Sequence, residues 1–478
     1  KNLTVFLDDA SMPLVNKWGD QVTNELTRQL IEFGGFYFLD RDKRGEFKKI
    51  EQLKYIAAMA HPGGGRNDIP NRLKSKFFLF NMVLPSTVSA DNIYGNILRA
   101  RFNAKRGVDP GIIALVTNLT TATIGLWTKV QRVLLPTPAR FHYIFNLREL
   151  SRVFQGIMET PQAVISDEER LVSLWRHECT RVFGDKLARE QDKSLVEKLV
   201  HDFAAEHFGE QLATYTSPTC WWCDFQRDRP PPSEDDEDPV APKIYEPVTS
   251  LADVCRKAYE FLARFNQKNQ AKAMNLVLFE DALMHLMRIN RTIQQKRGSA
   301  MLVGVGGSGK QSLTRLAAFI SGHCMFQITI TKTYSEVQFM EDLKELYITA
   351  GQKDEDVTFI FTDQDVINEN FLEIMNSILA TGEVVGLLQK DEKEAACNEV
   401  RNDFVQDNPQ AEENTMNLYN YFLNRLRDNL HIVLSFSPLH HKFPIRAQMF
   451  PAVFSNVNIN WFLPWPGEAL VAVSANFL

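Results

Sequence analysis

Met301-Leu302-Val303-Gly304-Val305-Gly306-Gly307-Ser308-Gly309-Lys310-Gln311-Ser312-Leu313 is the stretch on which the reading of this chain turns. Apolar residues lead, glycines crowd the middle, and a lysine opens a helical pattern, so the order is strand, loop, helix. The loop fits GxxxxGK. A phosphate chain needs several backbone N–H groups converging on it at the positive end of a helix, and glycines let the main chain curl that closely. Gly304, Gly306, Gly307, Ser308 and Gly309 are therefore the expected cradle of a nucleotide site, with Lys310 supplying a point charge for the outer phosphates. The next position is ordinarily Ser or Thr, whose hydroxyl holds Mg²⁺. Here it is Gln311, and Ser312, one place later, is the candidate metal ligand. Binding survives that change more easily than metal-dependent chemistry.

Working downstream, strand patterns at 300–303, 326–331, 357–361, 431–436 and 458–462 alternate with helical ones, which predicts a mostly parallel sheet covered by helices, an α/β fold. One of these strands ends Phe361-Thr362-Asp363-Gln364-Asp365. Hydrolysis at such a site ordinarily uses two adjacent acids at a strand end, one in the metal's shell and one orienting the attacking water. With the pair at 362 and 363 the metal-shell acid has become Thr; with the pair at 363 and 364 the base has become Gln. Asp363 fills one role, the other is empty, and slow or absent hydrolysis is expected at the Lys310 site.

Working upstream, the same grammar recurs. A strand at 5–9 ends in Asp8-Asp9, a helix follows at 23–32, a strand at 55–60, and then a Gly-rich loop with Arg66. The later block gives a strand ending at Asp363, a helix at 371–380, a strand at 432–436 and a loop carrying Arg446. Asp8 and Asp9 retain both carboxylates, Asp8 being the candidate metal ligand, although their phosphate loop would precede Lys1. Starting inside a strand without Met, the chain reads as part of something longer. Between the blocks, apolar residues at three- and four-residue spacing, such as Leu150, Val153, Phe154 and Ile157, predict a helical bundle over 90–208. A Pro-rich acidic stretch at 227–243 reads as linker or surface loop.

The 478 residues suggest about three compact units, and 44% hydrophobic with 23% charged residues excludes fibrous or wholly disordered classes. A net charge of -6 advertises neither a nucleic-acid nor an anionic membrane partner. The longest apolar run is taken to be 77–84, far short of the roughly 20 residues that cross a bilayer, so no membrane span is expected. Six sparse cysteines fit a reducing compartment. Cys220-Trp221-Trp222-Cys223 has C-x-x-C spacing without a second ligand pair, and reads as a loop held by its aromatics.

Met274-Asn275-Leu276-Val277-Leu278-Phe279-Glu280-Asp281-Ala282, Arg297-Gly298, the glycine loop, Gly382-Glu383-Val384 and Asn460-Trp461-Phe462 together resemble the fourth AAA+ module in the ring of a dynein heavy chain. Gln311 and Thr362-Asp363 resemble the axonemal version. Residues 2–208, with Asp8-Asp9, Met12-Pro13 and Gly63-Gly64-Gly65-Arg66-Asn67-Asp68, resemble the third module after its phosphate loop. The resemblance implies large α/β subdomains of P-loop NTPase type at 1–89 and 269–463, helical small subdomains at 90–208 and from 464–478, and a linker at 209–268. It implies ATP or ADP with Mg²⁺, hydrolysis and gating at the third module, and a regulatory clamp at the fourth. Ser437 would be the polar sensor of the terminal phosphate, with His61 its third-module counterpart. Arg446 would be an arginine finger reaching the preceding module's nucleotide near Asp8 and Asp9, Arg66 and Arg72 its counterparts, and Arg148 would close over the third module's own nucleotide. Implied partners are the other ring modules, intermediate and light chains, other heavy chains, and the microtubule through a stalk, in the cytoplasm of a cilium or flagellum. A second reading is a non-enzymatic scaffold holding ADP permanently.

Overall fold

Two runs of five residues, Leu3–Leu7 (β1) and Leu53–Ala57 (β4), pair in parallel in the first of two compact units, with Leu3 opposite Leu53 and Leu7 opposite Ala57. The computed structural model describes residues 2–13, 15–38, 40–61, 67–217, 219–230, 241–465 and 467–477. The crossover in the first unit is Val22–Phe33 (α1), which stops at Gly34 in the left-handed region, φ 67°, where a side chain would be strained. A hairpin of Gly35–Tyr37 (β2) and Phe47–Lys49 (β3) follows, which the helical and strand periodicities do not announce. The loop carrying Arg66 lies outside the described residues.

The second unit runs from Pro85 to Leu478. Its first part is the expected bundle: Pro110–Val133 (α2), Leu147–Glu159 (α3), Glu168–Cys179 (α4) and Glu190–Phe208 (α5). Asp109 caps α2 through the Gly111 N–H with Pro110 in the first turn, and Asn146 and Glu149 form a reciprocal capping box on α3. One core joins Leu119, Leu150, Val153, Ile157, Trp175 and Phe183. The sequence reading overlooks α2 as an apolar run. At 24 residues and mean hydropathy 1.3 it is long and apolar enough to cross a bilayer, whereas 77–84 forms no helix. Its apolar side chains, including Leu119, Leu126 and Val130, are buried against the bundle.

Of the segment read as linker, residues 231–240, the centre of the acidic proline stretch, lie outside the described residues, and the parts on either side form regular elements. Trp222–Cys223 (β5) pairs with Glu246–Pro247 (β6), and Leu251–Lys268 (α6) buries Val254, Ala258, Leu262 and Phe265 along one face. Proline and acid density at 227–243 mark only the loop; the four-residue apolar spacing of α6 marks a helix. Next come Glu280–Gln294 (α7), Ala300–Val303 (β7), Lys310–Ser321 (α8), Cys324–Gln327 (β8), Glu336–Tyr347 (α9), Val357–Thr362 (β9), Glu369–Thr381 (α10), Thr415–Asn429 (α11), Leu430–Phe436 (β10), Phe443–Met449 (α12) and Asn458–Trp461 (β11). The sheet is parallel throughout in the order β11-β7-β10-β9-β8. Strand β8 begins and ends earlier than 326–331: it is an edge strand pairing only with β9, and its last paired residue is Gln327, opposite Ile360. Arg446 sits within helix α12, not on a loop.

Bundle and sheet are joined by buried charge. The fully buried Glu178, on α4, takes two hydrogen bonds from Arg181, at 2.9 and 2.7 Å, and pairs with Arg291 of α7 at 3.2 Å. Arg291 also donates to the Gly156 carbonyl and lies 3.8 Å from the Tyr245 ring centroid. A Cβ on Gly156 would come within 2.2 Å of the Glu178 carboxylate. Burial alone would push the Glu178 carboxyl up, but the Arg181 and Arg291 charges outweigh it and hold it below its ordinary value. A carboxyl depressed in the folded state stabilises above its unfolded pKa, and that contribution is lost as pH falls through the folded value. Glu178→Gln is expected to cost about 3–5 kcal/mol in denaturant unfolding at neutral pH, with a smaller loss relative to wild type on acidification.

Candidate nucleotide site

Strand β7 is buried at all four positions, so its direction is fixed by the core, and the chain leaves it at Gly304. A Cβ there would lie 2.8 Å from Cβ of Phe462 and 3.1 Å from Ser308 Oγ. Gly307 (φ 79°) and Gly309 (φ 83°) bend the loop back into α8, whose first-turn N–H groups have no intrahelical acceptors. Lys310 curls into the loop and donates to Gly304 O at 2.6 Å, Val305 O at 2.7 Å and Ser308 Oγ at 3.0 Å. Burial lowers its proton affinity, partly offset by the charge of Asp363. The root of the loop rests on a stack: the His285 ring lies 3.8 Å from that of Phe462 and donates through Nδ1 to Asn460 Oδ1.

Asp363 and Ser437 follow directly after β9 and β10, as Gly304 follows β7, so all three stand at the carboxyl ends of adjacent strands, where open parallel sheets bind ligands. The Ser437 N–H donates to Asp363 Oδ2 at 2.6 Å, and Arg446 reaches Asp363 Oδ1 at 3.1 Å. Arg446 is 5% exposed, with its guanidinium between Asp363 and Glu369. Thr362 turns the other way, its N–H and hydroxyl both donating to Asp365 Oδ2 at 2.7 and 2.9 Å. Burial raises the Asp365 carboxyl, and the two bonds from Thr362 oppose that. These residues fit a phosphate tail. They do not furnish the usual magnesium shell: Gln311 follows the lysine, Ser312 is half-buried one position on, and the Thr362 hydroxyl is committed to Asp365.

Residues 274–478 match the family model described as P-loop containing dynein motor region D4, residues 1–85 a P-loop containing dynein motor region, and residues 119–213 an AAA+ lid domain. Over its whole length the chain is 46% identical to dynein axonemal heavy chain 5 of Rattus norvegicus, covering 14% of that protein. It is 42% identical to the dynein gamma chain of the flagellar outer arm of Chlamydomonas reinhardtii and to human dynein axonemal heavy chain 8, covering 11% of each. The chain belongs to the dynein heavy-chain family. It spans between 11% and 14% of the length of these relatives.

Within this dynein segment the other expected residues are placed as follows. Asp8 is exposed just after β1 and accepts from the Asp9 N–H at 3.0 Å, while Asp9 has a positive φ of 48°. His61 is exposed, and Arg72 is paired with Asp20 and Glu25. Arg148, at the start of α3, donates to Ser455 Oγ at 2.9 Å, next to α12 and β11. Sequence reasoning missed Glu369, Asp365, His285 and Phe462, which hold the site residues from behind. Nothing in their spacing sets them apart; only the register of β9, β10 and β11 brings them to the loop. Lys310→Ala is expected to weaken ADP or ATP binding by about 10- to 150-fold, the worth of charge-assisted hydrogen bonds, in calorimetric titration with an unchanged circular dichroism spectrum.

Proposed function

We propose that this chain is nucleotide-binding part of an ATP-driven microtubule motor ring of the axonemal dynein type, working in a cilium or flagellum. Its two P-loop modules then have different duties. The module containing Lys310 binds nucleotide tightly, turns it over slowly or not at all, and serves as a regulatory clamp. The observation that carries this is the closure of its acid positions: Thr362 faces Asp365, and Asp363 is held by the Ser437 N–H and Arg446. The module whose first strand here ends in Asp8-Asp9 keeps both carboxylates and is the one that hydrolyses ATP and gates the motor, given its phosphate loop from the rest of the heavy chain. Partners are the remaining modules of the same ring, the associated chains of an axonemal dynein, and the microtubule through a stalk.

The same closure favours a second reading, a scaffold that holds ADP as part of its core and contributes stability by linkage. In single-turnover assays of the heavy chain, the motor reading expects Asp9→Asn to abolish hydrolysis at the first module while nucleotide at the Lys310 site persists. The scaffold reading expects no dependence on Asp9.

Arg446 separates two roles. As a finger for the preceding module it would have to open its pairs with Asp363 and Glu369, and Arg446→Ala would then slow that module's turnover by about 10³-fold or more. As a latch within its own module, it would leave that turnover unchanged and speed nucleotide exchange at the Lys310 site. Stopped-flow release of a fluorescent ADP, run beside the turnover assay, reads both.

A further inference from the structure

The amino ends of β8, β9 and β10, opposite the phosphate loop, bring together His323, Asp356 and His431. His323 precedes β8, Asp356 precedes β9, and His431 is the second residue of β10. One ring nitrogen of each histidine and a carboxylate oxygen of Asp356 lie within 4.8 Å of one another. The rings are stacked, centroids 4.9 Å apart. They border a cavity of about 300 Å³ also lined by Gln294, Lys296 and Asp428.

The hydrogen bonding decides what these nitrogens can do. His431 Nδ1 lies 2.9 Å from the Gly298 carbonyl, an acceptor only, so Nδ1 carries the proton and Nε2 presents its lone pair. That Nε2 faces Asp356 Oδ1 at 3.8 Å, too far for a hydrogen bond, on a side chain 3% exposed. Two electron-pair donors that face each other at this separation leave room for a cation between them. His323 Nδ1 rests 3.0 Å from Thr358 Oγ1, a hydroxyl able to accept its proton, which leaves Nε2 as the remaining nitrogen. An imidazole oriented through its second nitrogen by a carbonyl or hydroxyl is how proteins prepare a metal ligand. Neighbouring acids are engaged elsewhere, Asp354 with Asn429 and Arg425, Asp428 with Arg297. Lys243, whose charge reaches Asp356, is turned to the Ser321 carbonyl. The Gln294 amide nitrogen, from a residue that lines the same cavity, is buried with no partner among the described residues.

We propose that His323, Asp356 and His431 form a site for a divalent transition metal of the zinc class, two imidazoles and one carboxylate with water completing the shell. Bonds of about 2.0–2.2 Å at tetrahedral angles put ligand atoms about 3.3–3.5 Å apart, so the three donor atoms, within 4.8 Å of one another, draw together on the ion, the exposed Asp356 side chain having the most freedom to move. Imidazole donors select against Mg²⁺ and Ca²⁺. The ion staples the starts of three adjacent strands, two of which, β9 and β10, end at Asp363 and Ser437 roughly 20 Å away.

The test is titration of the chelator-stripped chain with Zn²⁺ by calorimetry, and with Co²⁺ by visible absorption. One equivalent of saturable binding, tetrahedral-type Co²⁺ bands and a raised thermal midpoint are expected. His323→Gln and Asp356→Asn, both at partly exposed positions, should each weaken binding at least tenfold with circular dichroism retained. The double variant His440→Ala/His441→Ala, removing a separate stacked imidazole pair, should leave it unchanged. No saturable site, or a site that survives both ligand variants or vanishes with the His440/His441 pair, overturns the proposal.

Discussion

A buried carboxylate between two arginines constrains most of the second unit. Glu178 cannot be left ionised at zero exposure without Arg181 and Arg291, and those arginines come from different places: one from the turn after α4, the other from α7 beneath the sheet. Removing any member strands the others in low dielectric, so the bundle cannot slide on the sheet without a cost of several kcal/mol. The fit is closed by Gly156, where the carboxylate occupies the place of a side chain. Around it the join is aromatic, with Phe141 against Phe443 and Phe454, and His142 stacked on Trp461 at 4.5 Å. Burial drives the His142 imidazole down to about 3, so it packs there as a neutral ring. The consequence for a dynein ring is specific: helices matched by a lid family and a sheet matched by a motor-region family form one body, while residues 1–84 cluster separately.

Rigidity of that body gives the sheet two defined ends. At the carboxyl end the free loop satisfies its own lysine through the Gly304 and Val305 carbonyls. A phosphate tail therefore exchanges with existing hydrogen bonds, and its binding energy is the difference between the two sets. Asp363 works in the same way, its oxygens already shared between an N–H and a guanidinium. The site satisfies these polar groups within the chain, and its residues do not furnish the magnesium shell that hydrolysis ordinarily uses.

The glycine loop was legible because its chemistry is local: φ > 0 at Gly307 and Gly309 and a helix start at Lys310 are written in consecutive residues. The buried strands β7, β9 and β10 were legible for the same reason, as short apolar runs between breakers. What failed was whatever depends on partners. Strand β8 pairs along one edge only among the described residues and stops at Gln327, α6 was hidden behind an acidic proline run, and α2 looked unremarkable until its apolar residues met a bundle. In the site, Lys310 and Asp363 could be named from spacing, but Glu369 holds Arg446 and Asp365 holds Thr362 across turns that no period encodes.

Arg446 shows how the same side chain reads differently at the two levels. In sequence it is a cation near the end of a module, the natural candidate to reach outward. In the structure its guanidinium is desolvated and neutralised by two carboxylates of its own module, at 3.1 and 3.3 Å. A charge buried that way is released only when something else takes its partners. Outward reach by Arg446 therefore requires both pairs to open, with Asp363 and Glu369 each taken over by another donor.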